Sequence, residues 1–298
     1  MPDRRAPRSF VVAQVVLLAL LVLPASGWVS SARAQEATPA GSALPEGVEF
    51  VPLAFGPGGG LPPAPALVAL LRLTYEPGAG FAAPILPGPW LGLVETGTLI
   101  ARPHGLVMYG RGAEIGRGLS QGRTGEVLTL GTGDYIGTMP GTAITYTNES
   151  EVPTTSLVLH VLSTGSPLPT VLPAGVTAQL LVTGVAESWP DQPVLELARF
   201  TLAPGAALPP GRNDFGPTML FLEDGIVTYV MEIGEVQVLQ VGTAGSPVAS
   251  PAARPGGGEE LLEEGDAVFE QLGVVSGLHN PGTEPAVGIY AAVIAVTS

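Results

Sequence analysis

Short runs of apolar and β-branched residues, each bounded by Pro and Gly, follow one another along most of the chain. Such runs are typical of β-strands that end in tight turns. A helical period of 3.6 residues over ten or more positions is absent outside the amino-terminal segment. The predicted strands are residues 67–75, 91–101, 143–147 and 156–162 in the first half and 194–202, 219–230, 235–241 and 286–296 in the second. This pattern indicates an all-β fold built as small barrels or sandwiches.

The second half of the chain repeats the first. Five segments recur in the same order: 44–48 as 172–176, 72–79 as 199–206, 95–97 as 223–225, 133–134 as 265–266, and Asn148 as Asn280. Their offsets lie between 127 and 132 residues, and the Pro/Ala/Gly-rich stretch 246–258 explains the drift as a loop insertion. The sequence therefore predicts two homologous domains, residues 47–165 and 166–298.

The first 34 residues have the pattern of a secretory signal peptide. Basic residues precede an apolar run over residues 10–23, and an Ala-x-Ala cleavage pattern ends at Ala34. This run is shorter than the roughly 20 residues that a membrane span needs. We therefore expect cleavage after Ala34, a flexible leader over residues 35–46, and a secreted or extracytoplasmic chain without stable membrane insertion. A retained amino-terminal anchor is the alternative.

Composition narrows the classes of function. The 298 residues include no Cys, and 12 basic residues stand against 26 acidic ones, a net charge of −14. Without Cys, the chain has no disulfide framework, no thiolate metal site and no Cys nucleophile. The negative net charge and the low aromatic content, 6% of the residues, both argue against a nucleic-acid partner.

The repeated motifs resemble those of the cupin family. Each half has a Pro-Gly pair, a Glu-x-Gly turn, a Gly-Asp pair and an Asn before a Pro-containing turn. These are residues 77–78, 95–97, 133–134 and 148 in the first half, and 204–205, 223–225, 265–266 and 280 in the second. The resemblance covers nearly the whole mature chain, and it implies a bicupin made of two tandem antiparallel jelly-roll barrels.

The metal-ligand positions that this resemblance implies hold other residue types. Metal-binding cupins carry His-x-His and Glu in their first motif and a further His in their second, a ligand set suited to transition metals. The corresponding positions are Pro84, Leu86, Trp90 and Ile144 in the first copy, and Gly211, Asn213, Thr218 and Ser276 in the second. None is His or acidic. The resemblance therefore implies the fold without the usual metal, and we expect no cofactor.

The three His come from separate segments of the chain. His160 lies in an apolar alternating run and is expected to be a half-buried strand residue. His279 precedes a turn, and His104 follows Pro103 in a loop-like segment. A metal site shared by all three would require convergence across two barrels, so the sequence favours structural roles for them.

The same positions indicate which barrel is suited to bind a ligand. The first interior, with Trp90, is apolar and is expected to be packed core. The second is expected to contain Asn213, Thr218 and Ser276, with Arg212 close by. Such polar groups are costly to bury unless they satisfy one another, hold water or meet a ligand. We therefore predict the pocket in the second barrel, for a small polar or anionic molecule.

The function favoured by these observations is that of an exported, metal-free bicupin acting as a non-catalytic small-molecule-binding or structural module. One alternative is a metal-dependent cupin oxidoreductase or decarboxylase with unrecognised ligands. Another is a metal-independent cupin isomerase, which would need a His–Asp pair and a Tyr in its cavity. The sequence predicts no particular oligomeric state.

Overall fold

The computed structural model describes residues 44–83, 88–112, 118–166, 172–239 and 252–295. Within these ranges the chain is all-β, with no α-helix. In this part of the chain, no helix is long and apolar enough to cross a membrane. The predicted signal peptide, most of the leader and residues 246–251 of the predicted insertion lie outside the described residues.

The described strands are numbered in chain order. The first eleven are β1 (Val48–Pro57), β2 (Ala66–Tyr75), β3 (Gly80–Ala83), β4 (Trp90–Thr96), β5 (Thr98–Pro103), β6 (Val107–Gly110), β7 (Ser120–Gly122), β8 (Leu128–Gly131), β9 (Tyr135–Thr138), β10 (Ile144–Thr147) and β11 (Thr154–Ser163). The others are β12 (Val176–Ala186), β13 (Pro193–Leu202), β14 (Ala207–Arg212), β15 (Thr218–Asp224), β16 (Val227–Ile233), β17 (Glu235–Leu239), β18 (Ala252–Pro255), β19 (Gly258–Leu262), β20 (Ala267–Glu270), β21 (Val275–His279) and β22 (Ala286–Ala295).

Most predicted strands are confirmed within one or two residues, but two long ones are each divided by a turn. The predicted strand 91–101 is β4 and β5, and the predicted strand 219–230 is β15 and β16. Gly97 and Gly225 separate the pairs, with φ of 81° and 84°. This left-handed conformation is easy for Gly and costly for other residues, so the chain reverses direction at the Glu-x-Gly motif.

Each half of the chain forms a jelly-roll barrel from two antiparallel sheets. In the first barrel one sheet contains β2-β11-β4-β9 and the other is β3-β10-β5-β8. In the second, the same order recurs as β13-β22-β15-β20 and β14-β21-β16-β19. Strands from the two ends of the repeat alternate within every sheet, which is the double Greek-key arrangement of a jelly roll. The prediction of two tandem antiparallel barrels is confirmed.

The first strand of each repeat joins the sheet of the other repeat. β1 pairs antiparallel with β13, and β12 pairs antiparallel with β2. The predicted division between residues 165 and 166 thus separates the two repeats in sequence but not the two sheets. Each large sheet has seven strands, β1-β13-β22-β15-β20-β17-β18 and β12-β2-β11-β4-β9-β6-β7.

Both faces of the large sheets are largely buried at their central strands, such as β2, β11, β13 and β22. Alternate side chains such as Leu70 on β2 and Leu197 on β13 belong to a core shared by the two sheets, while Leu73 and Phe200 point into the two barrels. The exchanged strands cross closely: a Cβ on Gly184 of β12 would lie 2.2 Å from the Phe269 ring on β20. Burial on two faces explains why these strands are almost continuously apolar.

The Asn of the repeated motif organises a turn in each barrel. Asn148 donates from Nδ2 to the carbonyl oxygens of Tyr75 (2.9 Å) and Val152 (2.7 Å). Asn280 makes the equivalent bonds to Leu202 (2.9 Å) and Glu284 (2.8 Å). Both Asn side chains are fully buried. The motif therefore ties the end of the first barrel strand to the last turn, which is a structural task.

Charged members of the repeated segments meet where the two halves join. Arg72 donates to both oxygens of Glu95 at 2.7 Å and reaches Glu223 of the second repeat at 2.5 Å. Arg199, the repeat equivalent of Arg72, donates to Glu223 at 3.2 Å. The hydrogen bonds with Glu95 raise the pKa of Arg72 above its ordinary value, with burial acting the other way. This cluster links the repeats at the edge of the shared core.

We expect Arg72→Leu to lower the free energy of unfolding by about 1–3 kcal/mol, because Glu95 and Glu223 would be left partly buried beside each other. Arg199→Leu is the matched control, since Arg199 is 44% exposed and contacts one carboxylate. Its expected cost is about 0–1 kcal/mol. Urea unfolding of the two variants measures both values. An equal or larger loss in Arg199→Leu would contradict the central role of Arg72.

Candidate functional site

Four positions lie in register across the main sheet of each barrel. In the first barrel the row is Ala69 on β2, His160 on β11, Trp90 on β4 and Thr138 on β9. In the second barrel the equivalent row is Glu196 on β13, Ala292 on β22, Thr218 on β15 and Glu270 on β20. We call the position of these two equivalent rows along the barrels one level. At this level the first barrel carries aromatic side chains and the second carries carboxylates.

The row in the second barrel faces the interior. Side chains alternate along a strand, so residues two or four positions apart share a face. Phe200, Leu220 and Val268 lie at such distances from Glu196, Thr218 and Glu270, and all three pack in the core of the second barrel. The two acids are correspondingly buried, with 3% of Glu196 and 6% of Glu270 exposed.

Glu270 is the centre of a hydrogen-bond network. Its Oε1 accepts from Tyr229 Oη at 2.5 Å and from Ser276 Oγ at 2.7 Å. Its Oε2 accepts from Thr218 Oγ1 at 3.2 Å. Burial, with the charge of Glu270 next, raises the pKa of Tyr229 well above its ordinary value of 10, so the phenol stays protonated and donates. Three hydroxyl donors thus hold one buried carboxylate in place.

Asn213 supports this network from the turn after β14. Its Nδ2 lies 3.4 Å from Thr218 Oγ1 and donates to the carbonyl oxygen of Gly216 at 2.8 Å. Its Oδ1 accepts from the backbone N–H groups of Phe215 and Gly216 at 3.2 and 3.3 Å. Because these bonds engage both ends of the amide, Asn213 fixes the position of Thr218.

A cavity of about 30 Å³ lies against this network. The predicted residues Asn213, Thr218 and Ser276 all border it, together with Glu270 and Tyr290. The exchanged strand β1 contributes Phe50, whose ring meets that of Tyr290 edge-on at 5.8 Å. A volume of this size has room for about two water-sized groups.

Arg212 and Trp90 do not join this group. The side chain of Arg212 is 67% exposed and pairs with Asp214 at 2.8 Å, so the expectation that it lies beside the second cavity is wrong. Arg212 is the last residue of β14 and follows the buried Gly211, so strand alternation directs its side chain outwards. Trp90 lies in the first barrel, as expected, at the position equivalent to Thr218.

Aromatic side chains fill the first barrel at the same level. Trp90 stacks on Tyr146 with ring centroids 6.0 Å apart, and His160 lies 5.5 Å from Trp90. His160 is 3% exposed, more deeply buried than predicted, and burial lowers its pKa to about 4. Trp90 and Tyr146 border a cavity of about 10 Å³, which has room for about one water molecule. Ile144 is fully buried in this core, while Pro84 and Leu86 lie outside the described residues.

Comparisons with protein-family models and with characterised protein sequences find no match. Several solved structures are similar at low identity. AerE from Microcystis aeruginosa is 13% identical, with 83% of this chain and 99% of that chain covered and a TM-score of 0.40. A putative glyoxylate-induced protein from Pseudomonas aeruginosa is 10% identical, with coverage of 92% and 96% and a TM-score of 0.43. Oxalate decarboxylase from Bacillus subtilis is 11% identical, with coverage of 76% and 68% and a TM-score of 0.43.

The strand order gives the fold independently of these similarities. Two jelly-roll barrels in one chain, with equivalent strands in equivalent places, are the arrangement that the repeated motifs imply. The chain has the fold of the cupin family. Functional differences between the two halves of the chain therefore depend on the side chains inside the two barrels.

The interior residues of the two barrels do not fit the metal that the resemblance implies. At the ligand level the second barrel presents Thr218 and Ser276, whose hydroxyls already donate to Glu270, and the first presents Trp90. Among the described residues, no three His, Asp or Glu side chains come together as a metal site. His104 is exposed near Thr145, far along the chain from His160 and His279. We derive no chemistry through a metal.

Glu196 and Glu270 are the residues that the sequence analysis missed. Neither occupies a ligand position of the cupin motifs, which is why a search by motif passed over them. Each nevertheless gave a local signal, because it is an acid that directly follows two apolar strand residues. An acid at an interior strand position is rarely fully buried unless it is paired.

Glu196 lacks part of that pairing. Its Oε2 is buried and has no hydrogen-bond partner in the described part of the chain. Burial raises the pKa of Glu196 from 4.5 to about 7. Burial also raises the pKa of Tyr290 well above 10, and the charges of Glu196 and Glu270 add to that effect. Both carboxylates therefore act on the phenol that borders the cavity.

We expect the free energy of unfolding of the chain to fall as pH rises from about 4.5 to 7, with Glu196 as a cause. The folded chain keeps the Glu196 proton up to about pH 7, whereas the unfolded chain releases it near 4.5. Unfolding is therefore favoured by rising pH within this window and levels off above it. Relative to Glu196→Gln, the wild type should lose about 2–4 kcal/mol.

Urea unfolding of both proteins between pH 4.5 and 8 measures this difference. The Gln variant keeps the side-chain shape and cannot ionise, and Tyr290 and Glu270 are common to both proteins. A stability difference that stays constant over the whole range would contradict the assignment to Glu196.

Proposed function

We propose that the chain is an exported bicupin that acts as a non-catalytic binding module, with its ligand site inside the second barrel. The observation that carries the proposal is the buried Glu270 network beside a cavity. Interior polar side chains are costly to maintain, and a purely structural barrel is stabilised equally well by apolar packing. The first barrel provides that comparison, since Trp90 and His160 fill the same level.

The residues around the cavity favour a ligand that donates hydrogen bonds. Glu270 accepts three hydroxyl bonds, and Tyr290 borders the same cavity. An anionic ligand was expected from the sequence because Arg212 was predicted to lie nearby. With Arg212 directed outwards and a carboxylate inside, a polar ligand that is neutral or positively charged fits better than an anion.

The size of the cavity limits the ligand. About 30 Å³ accommodates two water-sized groups, so the site suits a very small molecule or the end of a longer one. Export is supported by the sequence pattern of residues 1–34, with cleavage proposed after Ala34. The site would then meet small solutes outside the cytoplasm.

Saturation-transfer NMR on the purified exported chain tests the proposal, with formamide as a neutral probe and methylammonium as a charged one. We expect transfer from the protein to at least one probe. Ser276→Val should reduce that transfer at least threefold, because it removes a hydroxyl and fills part of the cavity.

Thr138→Val is the matched control, since it removes a buried hydroxyl at the equivalent level of the first barrel. It should leave the transfer unchanged. Absence of transfer to both probes, or equal transfer in wild type and Ser276→Val, would overturn the proposed site. Circular dichroism of each variant verifies that the fold is retained.

A further inference from the structure

Most buried polar atoms without a protein partner lie around Trp90 in the first barrel. Among the described side chains five such atoms are found, and four of them belong to Trp90, Thr138, Tyr146 and His160. Thr138 is the register partner of Trp90 on the neighbouring strand. The ring centroids of Tyr146 and His160 lie 6.0 and 5.5 Å from that of Trp90. Because buried polar groups are rarely left without a hydrogen bond, this concentration indicates a bound molecule inside the first barrel.

Two of these four side chains border the small cavity of the first barrel. Trp90 and Tyr146 are each 3% exposed, and both line the space of about 10 Å³. Gly92 lines the same space, and a Cβ added to it would lie 2.9 Å from Trp90 Nε1. The indole N–H therefore lies next to the space that Gly92 leaves free.

The residues around this cavity determine what can bind there. An indole N–H is a donor only, whereas the Tyr146 hydroxyl can donate and accept. Tyr75 and Ser156, which hydrogen-bond to each other, line the same space with two more hydroxyls. Among the described residues that line it, none carries a charge, and the volume has room for about one water molecule. The site therefore fits a small neutral molecule that both accepts and donates hydrogen bonds.

We propose that the first barrel binds one internal water molecule, which accepts from Trp90 Nε1 and hydrogen-bonds to the hydroxyl of Tyr146. The hydroxyls of Tyr75 and Ser156 line the same space and offer further acceptors. The water then has the about two to four polar partners that are typical of internal waters. It fixes the orientation of the indole ring and is a structural component of the first barrel. This inference is independent of the proposed function, which concerns the second barrel.

Oxygen-17 relaxation dispersion of the solvent tests the inference on the purified chain, because it responds to water that stays bound for longer than the protein takes to tumble. It is recorded over a range of temperatures so that slowly exchanging water is also detected. Gly92→Ala places a methyl group against Trp90 Nε1 and should remove the contribution of one water molecule from the dispersion amplitude. Any water in the second barrel is common to both proteins.

Gly258→Ala is the matched control, since a Cβ added to Gly258 meets no atom within 4 Å. It should leave the dispersion amplitude unchanged. Equal amplitudes in wild type and Gly92→Ala would overturn the inference. Circular dichroism verifies that both variants are folded, and if Gly92→Ala is not, the following variant decides.

Tyr146→Phe keeps the aromatic ring and tests the same water by the sign of a stability change. The bound water loses one partner, so we expect the melting temperature to fall by about 2–4 °C. If no water were bound, the substitution would remove a buried hydroxyl without a partner, and the melting temperature would stay the same or rise. Tyr109→Phe, the same change at a half-buried position of the first repeat, should leave it unchanged. A melting temperature of Tyr146→Phe at or above that of wild type would contradict the inference.

Discussion

Burial of both faces of the two seven-stranded sheets is the constraint on which the rest of the structure depends. One face of each sheet closes a barrel, and the other packs against the sheet of the opposite repeat. The exchange of β1 and β12 extends each sheet with a strand from the other repeat. Neither half therefore completes the backbone hydrogen bonding of its main sheet by itself, and the two halves are held together by backbone pairing as well as apolar contact.

The two barrels differ in the side chains that fill their interiors. The first is filled by Trp90, Tyr146 and His160, while in the second the hydroxyls of Thr218, Tyr229 and Ser276 surround Glu270. Strand register places these differing residues at equivalent levels, so the contrast results from side chains rather than from backbone. The exchanged strand β1 adds Phe50 to the second cavity, which makes the site a product of both repeats.

The sequence was sufficient for the parts of the fold that depend on local pattern. Strand runs, the two repeats and the Asn-centred turns all follow from residues close together in the chain. The exchange of β1 and β12 was not predictable in this way, because either pairing buries the same apolar strands. The site was found in part: Thr218 and Ser276 follow from the repeat alignment, but the place of Glu196 and Glu270 in one interior row requires the strand register. Arg212 was expected beside the cavity, but its side chain lies on the outer face of β14 because neighbouring residues of a strand point to opposite faces.

The strand exchange also bears on how the two repeats could diverge. A substitution on the shared face alters a surface that both repeats must match, as the paired contacts of Arg72 and Arg199 with Glu223 illustrate. A substitution inside one barrel is felt by that barrel alone. Duplication followed by exchange thus leaves one half free to keep a rigid scaffold while the other acquires new interior chemistry, and the acids of the second barrel lie where such evolutionary freedom is greatest.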